Sequence, residues 1–147
     1  MGQCEVCRRI ASIHQGTNPY FVKELETGYV VLGDYQRFLG YTLFLCKECV
    51  AELYLLDTKF RNKYLQEMAQ VSEAVYHAFQ PDKLNYELLG TGNAVHMHWH
   101  LFPRRKNDTP VQGPVWKLDK AEMYHEKYIP SLEELQHLKV KLQKELD

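Results

Sequence analysis

Three histidines alternate with apolar residues in the run Val95-His96-Met97-His98-Trp99-His100-Leu101. In a β-strand successive side chains point to opposite faces, so His96, His98 and His100 would project together while Met97, Trp99 and Leu101 project the other way. Their rings would then recur about every 7 Å along the strand, a row suited to gripping an oxyanion or a metal. A lone strand histidine is ordinarily a hydrogen-bonded or solvated residue. Three of the chain's seven histidines within five residues, next to the glycine turn Gly90-Thr91-Gly92, point to chemistry instead. The four cysteines fall into two pairs of the form Cys-x-x-Cys, Cys4/Cys7 and Cys46/Cys49. With no secretion signal in view, that spacing favours ligation of a metal, zinc first, over disulfides.

The elements that must position these residues can be read from periodicity. Tyr29 to Asp34 and Tyr41 to Cys46 are β-rich runs joined by a short connection, which predicts a hairpin. Phe60, Tyr64, Met68, Val71, Val75 and Phe79 recur at helical spacing between a cap at Asp57 or Thr58 and a stop at Gln80-Pro81, which predicts one long packed helix. Leu84 to Leu89 and Val95 to Phe102, closed by Pro103, predict a second hairpin that carries the histidines. Ser131-Leu132-Glu133-Glu134 has the form of a capping box opening a C-terminal helix with Leu135, Leu138, Leu142 and Leu146 on one side. Hairpin strands interleaved with helices indicate an α+β domain with an antiparallel sheet.

The chain has 147 residues, and 45% hydrophobic with 25% charged residues is the balance of a globular protein. A single domain over residues 1–147 is expected, with its core at about 4–116 and a tail and helix over 117–147. A formal net charge of −1 gives no global reason to expect nucleic acid as a partner, so any phosphate must be held locally. No stretch is long and apolar enough to span a membrane and no signal-like segment opens the chain; a cytoplasmic protein is the expectation.

The run His96-Met97-His98-Trp99-His100-Leu101-Phe102 resembles the His-φ-His-φ-His-φ-φ signature of the histidine-triad (HIT) superfamily, where φ is an apolar residue. Asn85 to Gly90, Gly92-Asn93, Pro103-Arg104, Asp108 and Gly113-Pro114-Val115-Trp116 are similar to its diadenosine-polyphosphate-hydrolase-like branch. Gly33-Asp34 and Gly40-Tyr41-Thr42-Leu43 leading to Lys47-Glu48-Cys49-Val50 extend the likeness, which covers about residues 4 to 116.

The resemblance implies a nucleotide hydrolase. His98 would attack an α-phosphorus, expel the rest of the substrate and form a nucleotidyl-histidine that water then cleaves. His100 and His96 would complete the catalytic set, and Asp34, Asn85, Asn93 and His100 would hold the substrate, Asp34 through ribose hydroxyls and the others through phosphate oxygens. A structural zinc would sit on Cys4, Cys7, Cys49 and His96, with a four-cysteine site that uses Cys46 as the alternative. An adenine-containing nucleotide is the implied partner, and homodimers are implied too, with Trp116 and the last helix as contributors. Within the family, a phosphorylase, nucleotidyltransferase or nucleoside phosphoramidase fits the same residues. Outside it stand a hydrolase with zinc held by the three histidines and a non-enzymatic zinc module that binds through Arg8, Arg9, Arg104, Arg105 and Lys106.

Overall fold

The structure is a computed structural model and describes residues 3–147. Helix α1 spans Glu5–His14 and strands β1 and β2 span Phe21–Glu24 and Gly28–Leu32. Strand β3 covers Thr42–Cys46, helix α2 Thr58–Phe79, strand β4 Lys83–Glu87 and strand β5 His98–Arg104. A short helix α3, Lys120–Met123, and helix α4, Leu132–Leu146, follow. The five strands form one antiparallel sheet in the order β1-β2-β3-β5-β4. Both predicted hairpins are present, as β2–β3 and β4–β5. The expected α+β architecture, with an antiparallel sheet, one long packed helix and a C-terminal helix, is the observed one. No helix among the described residues is long and apolar enough to cross a membrane.

Alternation along the strands divides the sheet into two faces. Val30, Leu32, Phe44, Cys46, Leu84 and Leu101 lie in the core formed with α2 and α4, where Tyr64, Val71, Val75 and Leu142 are fully buried. The side chain of Asp57 caps α2, and Gln80 ends it in the left-handed conformation just before Pro81, which cannot continue a helix. The capping box at Ser131 and Glu134 opens α4, and its four leucines are buried against the chain's own core. That face of the last helix is therefore taken by the monomer, while Leu132 and Val140 on its other sides are exposed.

The histidine strand differs at both ends from the predicted Val95 to Phe102. Its start moves to His98 because Met97 is held outside the regular ladder: its N–H donates to the Val50 carbonyl and its own carbonyl accepts from Cys46. Pro103, predicted to close the strand, lies inside it. Strand β3 ends at Thr42 opposite Leu101, so beyond that point β5 pairs only with β4 and its other side needs no donor.

One buried polar latch ties α2 to the opposite end of the sheet. The carboxylate of Glu67 accepts from the backbone N–H groups of Glu26 (3.1 Å) and Thr27 (2.8 Å) and from the Thr27 hydroxyl. Glu67 and Thr27 are both buried. Glu67→Ala would leave these donors without a partner, at about 1–3 kcal/mol for an unmet buried group. Urea unfolding should show a stability loss of roughly 2–4 kcal/mol for Glu67→Ala and a smaller one for Glu67→Gln, which keeps an acceptor. An unchanged midpoint for the alanine variant would remove the latch from the account.

Candidate active site and metal centre

Helix α1 begins on a cysteine. The sulfur of Cys4 accepts the N–H of Cys7 at 3.3 Å and so acts as the helix N-cap, which places both thiols at one end of the helix. Cys49 comes from the turn after β3 and His96 from the segment before β5. His96 Nδ1 lies 3.5 Å from both Cys4 Sγ and Cys7 Sγ, and Cys49 Sγ lies 3.8 Å from Cys4 Sγ. All four ligand atoms fall within 4.8 Å of one another.

Tetrahedral zinc, with Zn–S of about 2.3 Å and Zn–N of about 2.0–2.1 Å, requires ligand-to-ligand edges of roughly 3.5–3.8 Å, so the donor set fits the ion in type and spacing. Electrostatics agree with a cation here. Burial, then the hydrogen bonds and charges of Cys4 and Cys49, push the Cys7 thiol up to about 12 when no positive charge is present. A bound dication reverses that balance and keeps the thiols ionised.

His96 is fixed from its other edge as well. Its Nε2–H donates to the Cys46 carbonyl at 2.6 Å, which leaves the Nδ1 lone pair facing the thiols. Cys46 contributes this carbonyl and not its sulfur, which is fully buried in the main core, so the four-cysteine alternative is not the arrangement found. Nor do the three histidines converge on a common ion. His96 turns to the cysteines, and the Nδ1–H of His98 donates to the His96 carbonyl at 2.7 Å.

That last hydrogen bond assigns the tautomer of His98. A carbonyl only accepts, so a hydrogen sits on Nδ1, and in the neutral ring the Nε2 lone pair is free. His98 and His100 share the face opposite the main core, with ring centroids 4.8 Å apart, closer than strand spacing alone suggests. His100 Nδ1 lies 2.6 Å from the Tyr41 hydroxyl, and the Tyr41 ring stacks on Phe102 at 4.2 Å. Burial holds the Tyr41 phenol well above its ordinary range, so it keeps its proton and donates it to His100. The ring of His100 then carries its own hydrogen at Nε2. Burial, and secondarily the charge of His98, bring His100 down to about 4, so it is neutral at physiological pH.

His98 lines a recess of about 240 Å³ with Val31, Leu43, Leu45, Asp34 and Tyr41 along the sheet. Glu5, Val6 and Arg9 of α1 form one wall, and Tyr124 near the end of α3 reaches the same space with its ring edge-on to Tyr35 at 5.4 Å. Gly33 keeps the space open, since a Cβ there would overlap the Tyr41 ring. Asp34 lies in this recess with both oxygens engaged by Arg9 at 2.8 Å.

Asn85 and Asn93 lie elsewhere. Asn85 is on the same sheet face but opposite Phe102, and its Oδ1 accepts from Arg104 at 3.0 Å. It belongs to a larger recess of about 810 Å³ along β4 and the loop after β5, which contains no triad histidine. The arginines there already have partners: Arg104 is paired with Asp108, and Arg105 donates to the Leu39 and Phe79 carbonyls. Asn93 is an exposed turn residue whose carbonyl accepts the N–H of Glu5, at the start of α1.

Sequence reasoning missed α1 and, with it, the place of Arg9 in the recess beside Asp34, although Val6, Ile10 and Ile13 at spacings of four and three mark a helical apolar face. It also gave no role to Tyr41, Tyr35 or Tyr124, whose neighbours come from distant segments.

No protein-family model matches the chain, and no curated protein matches it in sequence. Solved structures do. A histidine triad protein from Bradyrhizobium japonicum superposes with a TM-score of 0.74 at 21% identity, over 86% of this chain and 90% of its own. The fold is that of the histidine triad proteins. A histidine triad nucleotide-binding protein, described as hypothetical, from Sulfolobus tokodaii gives 0.70 at 19% identity, over 95% and 91%. A zinc-bound histidine triad family protein from Mycobacterium smegmatis gives 0.59 at 18%, over 92% of each chain. Within this histidine triad fold, Cys4, Cys7, Cys49 and His96 form a cluster able to hold zinc.

Two measurements follow from the site. Elemental analysis should find one zinc per chain, retained in Cys46→Ala and lost in Cys49→Ala; retention in both variants would place the ion elsewhere. In an NMR titration His100 should protonate with a midpoint near 4. The unfolded chain, with an ordinary histidine near 6.5, takes up this proton first, so the His100 contribution to stability is present above about 6.5 and is lost as the pH falls toward 4. A midpoint near 6.5 would mean that the ring is not held neutral by burial.

Proposed function

We propose that the chain is a nucleotide hydrolase of the histidine-triad type, with His98 Nε2 as its nucleophile. One observation carries this reading: the His96 carbonyl engages Nδ1–H of His98, so that the neutral tautomer of the ring turns its Nε2 lone pair to the recess. The lone pair of Nε2 forms a P–N bond to the α-phosphorus of a nucleotide conjugate as the P–O bond to the leaving group breaks. The leaving group departs with that electron pair. His98 becomes a cation in this step, and the Nδ1–H bond to the His96 carbonyl strengthens as the charge appears. Water then attacks phosphorus, the P–N bond breaks, its electron pair returns to Nε2, and a nucleoside monophosphate leaves.

His100 assists as a neutral donor through Nε2–H to a phosphoryl oxygen, its ring held by Tyr41. In this reading Asp34 takes the ribose, while Asn85 and Asn93 serve the phosphate end from the margins of the site, outside the recess that His98 lines. Zinc on the cysteine cluster has a structural part: it fixes His96 and, through the His96 carbonyl, the orientation of His98. Dinucleoside polyphosphates are the proposed substrates, with adenine as the base. The similarity of the fold to the Sulfolobus tokodaii protein, described as a hypothetical nucleotide-binding protein, supports a nucleotide in the recess. A homodimer belongs to the same reading, and β4, an edge strand of the sheet, is where a second chain would pair.

Quenching the protein within the first turnovers of diadenosine tetraphosphate should trap an adenylyl adduct by intact-mass spectrometry, with AMP as product. His98→Ala should still bind nucleotide but form no adduct and release no AMP. Turnover retained in that variant would exclude the covalent route. Absence of both adduct and turnover in the wild type, with this substrate and with an adenosine phosphoramidate, would favour a binding module.

A further inference from the structure

The carboxylate expected to receive the ribose is already occupied. Arg9 Nη1 and Nη2 donate to Asp34 Oδ1 and Oδ2 in two parallel bonds of 2.8 Å each, and Arg9 Nε donates to Glu5 at 3.1 Å. Both partners line the recess that contains His98. Their side chains are about one third exposed, 32% for Arg9 and 31% for Asp34, so the pair sits where a ligand arrives and not in the deep core.

A guanidinium edge and a vicinal diol present the same pattern to a carboxylate, two adjacent donors reaching two oxygens. One edge of Asp34 cannot serve both in this way at once. We infer that Arg9 is a specificity-determining residue of the recess, which competes with the ribose diol for Asp34. The inference rests on the nucleotide reading above and adds that ribose binding requires an exchange of partners. Glu5, four residues earlier on the same helix, accepts from Arg9 Nε and also from Arg8 Nε and Nη2, so the displaced guanidinium keeps a carboxylate neighbour that it shares with Arg8. The wild-type protein therefore gains little affinity from the diol, because each diol bond formed replaces an existing charged one.

Helix α1 also sets how far the exchange can go. Arg9 stands two residues beyond Cys7, on the helix whose start carries the Cys4 and Cys7 ligands, and Val6 holds the helix against Tyr29, Val31 and Leu45. The backbone of Arg9 thus stays in place while its side chain moves between the two carboxylates.

Calorimetric titration of the zinc-loaded protein with AMP and with 2′,3′-dideoxy-AMP separates the possibilities. Arg9→Met keeps the apolar stem and removes the competing fork; it should tighten AMP by roughly two- to fivefold, the range of a partly exposed charged pair, and leave dideoxy-AMP unchanged. Arg9→Lys, which cannot make the fork, should move AMP in the same direction by less and carries the test should the methionine variant fold poorly. AMP binding that is unchanged or weaker in both variants would overturn the inference, since Arg9 would then support the ligand and not compete with it. A gain shared equally by dideoxy-AMP would also overturn it, because the diol would be irrelevant. Wild-type protein that binds neither nucleotide would sink the nucleotide reading itself, an outcome distinct from both.

Discussion

The ring and backbone of His96 are committed in three directions at once. Nδ1 faces the thiols of Cys4 and Cys7, Nε2–H is held by the Cys46 carbonyl, and the His96 carbonyl takes the Nδ1–H of His98. Each commitment dictates the next. The Cys46 carbonyl accepts only, so the hydrogen must sit on Nε2 and the thiol-facing nitrogen is a lone pair. The His96 carbonyl also accepts only, so the neighbouring histidine carries a hydrogen on Nδ1, and its neutral form exposes the Nε2 lone pair to the recess. Two side chains with the same composition thus acquire opposite tautomers, one suited to a metal and one to phosphorus.

Much of this organisation was legible beforehand, for identifiable reasons. Helix α2 was readable because its apolar stripe runs through six turns and ends on Gln80-Pro81, and α4 because a capping box is a local signal. The zinc ligands were reached through resemblance rather than spacing, since Cys46 and Cys49 are equivalent in sequence. Only the fold distinguishes them, by burying the sulfur of Cys46 in the main core and leaving Cys49 in the turn beyond. The limits of the histidine strand were misread at both ends because they depend on where β3 stops and on the bonds that Val50 and Cys46 make to Met97, facts of pairing that periodicity does not carry.

The polar lining of the recess was the least legible part. Asp34 is reached through the family resemblance, yet its partner Arg9 lies 25 residues earlier on a helix that was not predicted. Tyr41 was noted only as part of a strand, and its bond to His100 crosses 59 residues. The tail is a further case. Its return over the sheet is held by the Tyr128 carbonyl accepting from Gln36 and by Glu122 pairing with Arg37, which brings Tyr124 to its own chain's recess. Long-range polar pairs of this kind leave no periodic trace, because each needs one residue at each end.

The cysteine cluster has a consequence for how the chain folds. Cys4 and Cys7 lie within one helical turn, but Cys49 is 45 residues from Cys4 and His96 is 92. An ion seated on all four residues is a cross-link that closes two long loops, and the entropy of loop closure rises only slowly with length, so most of the restriction falls on the unfolded ensemble. The first pair of thiols belongs to one helix, whereas Cys49 and His96 flank β3 and β5, so the four ligands converge only in a chain where those strands are paired. Completion of the metal shell is thereby an internal report that the central strands are in register.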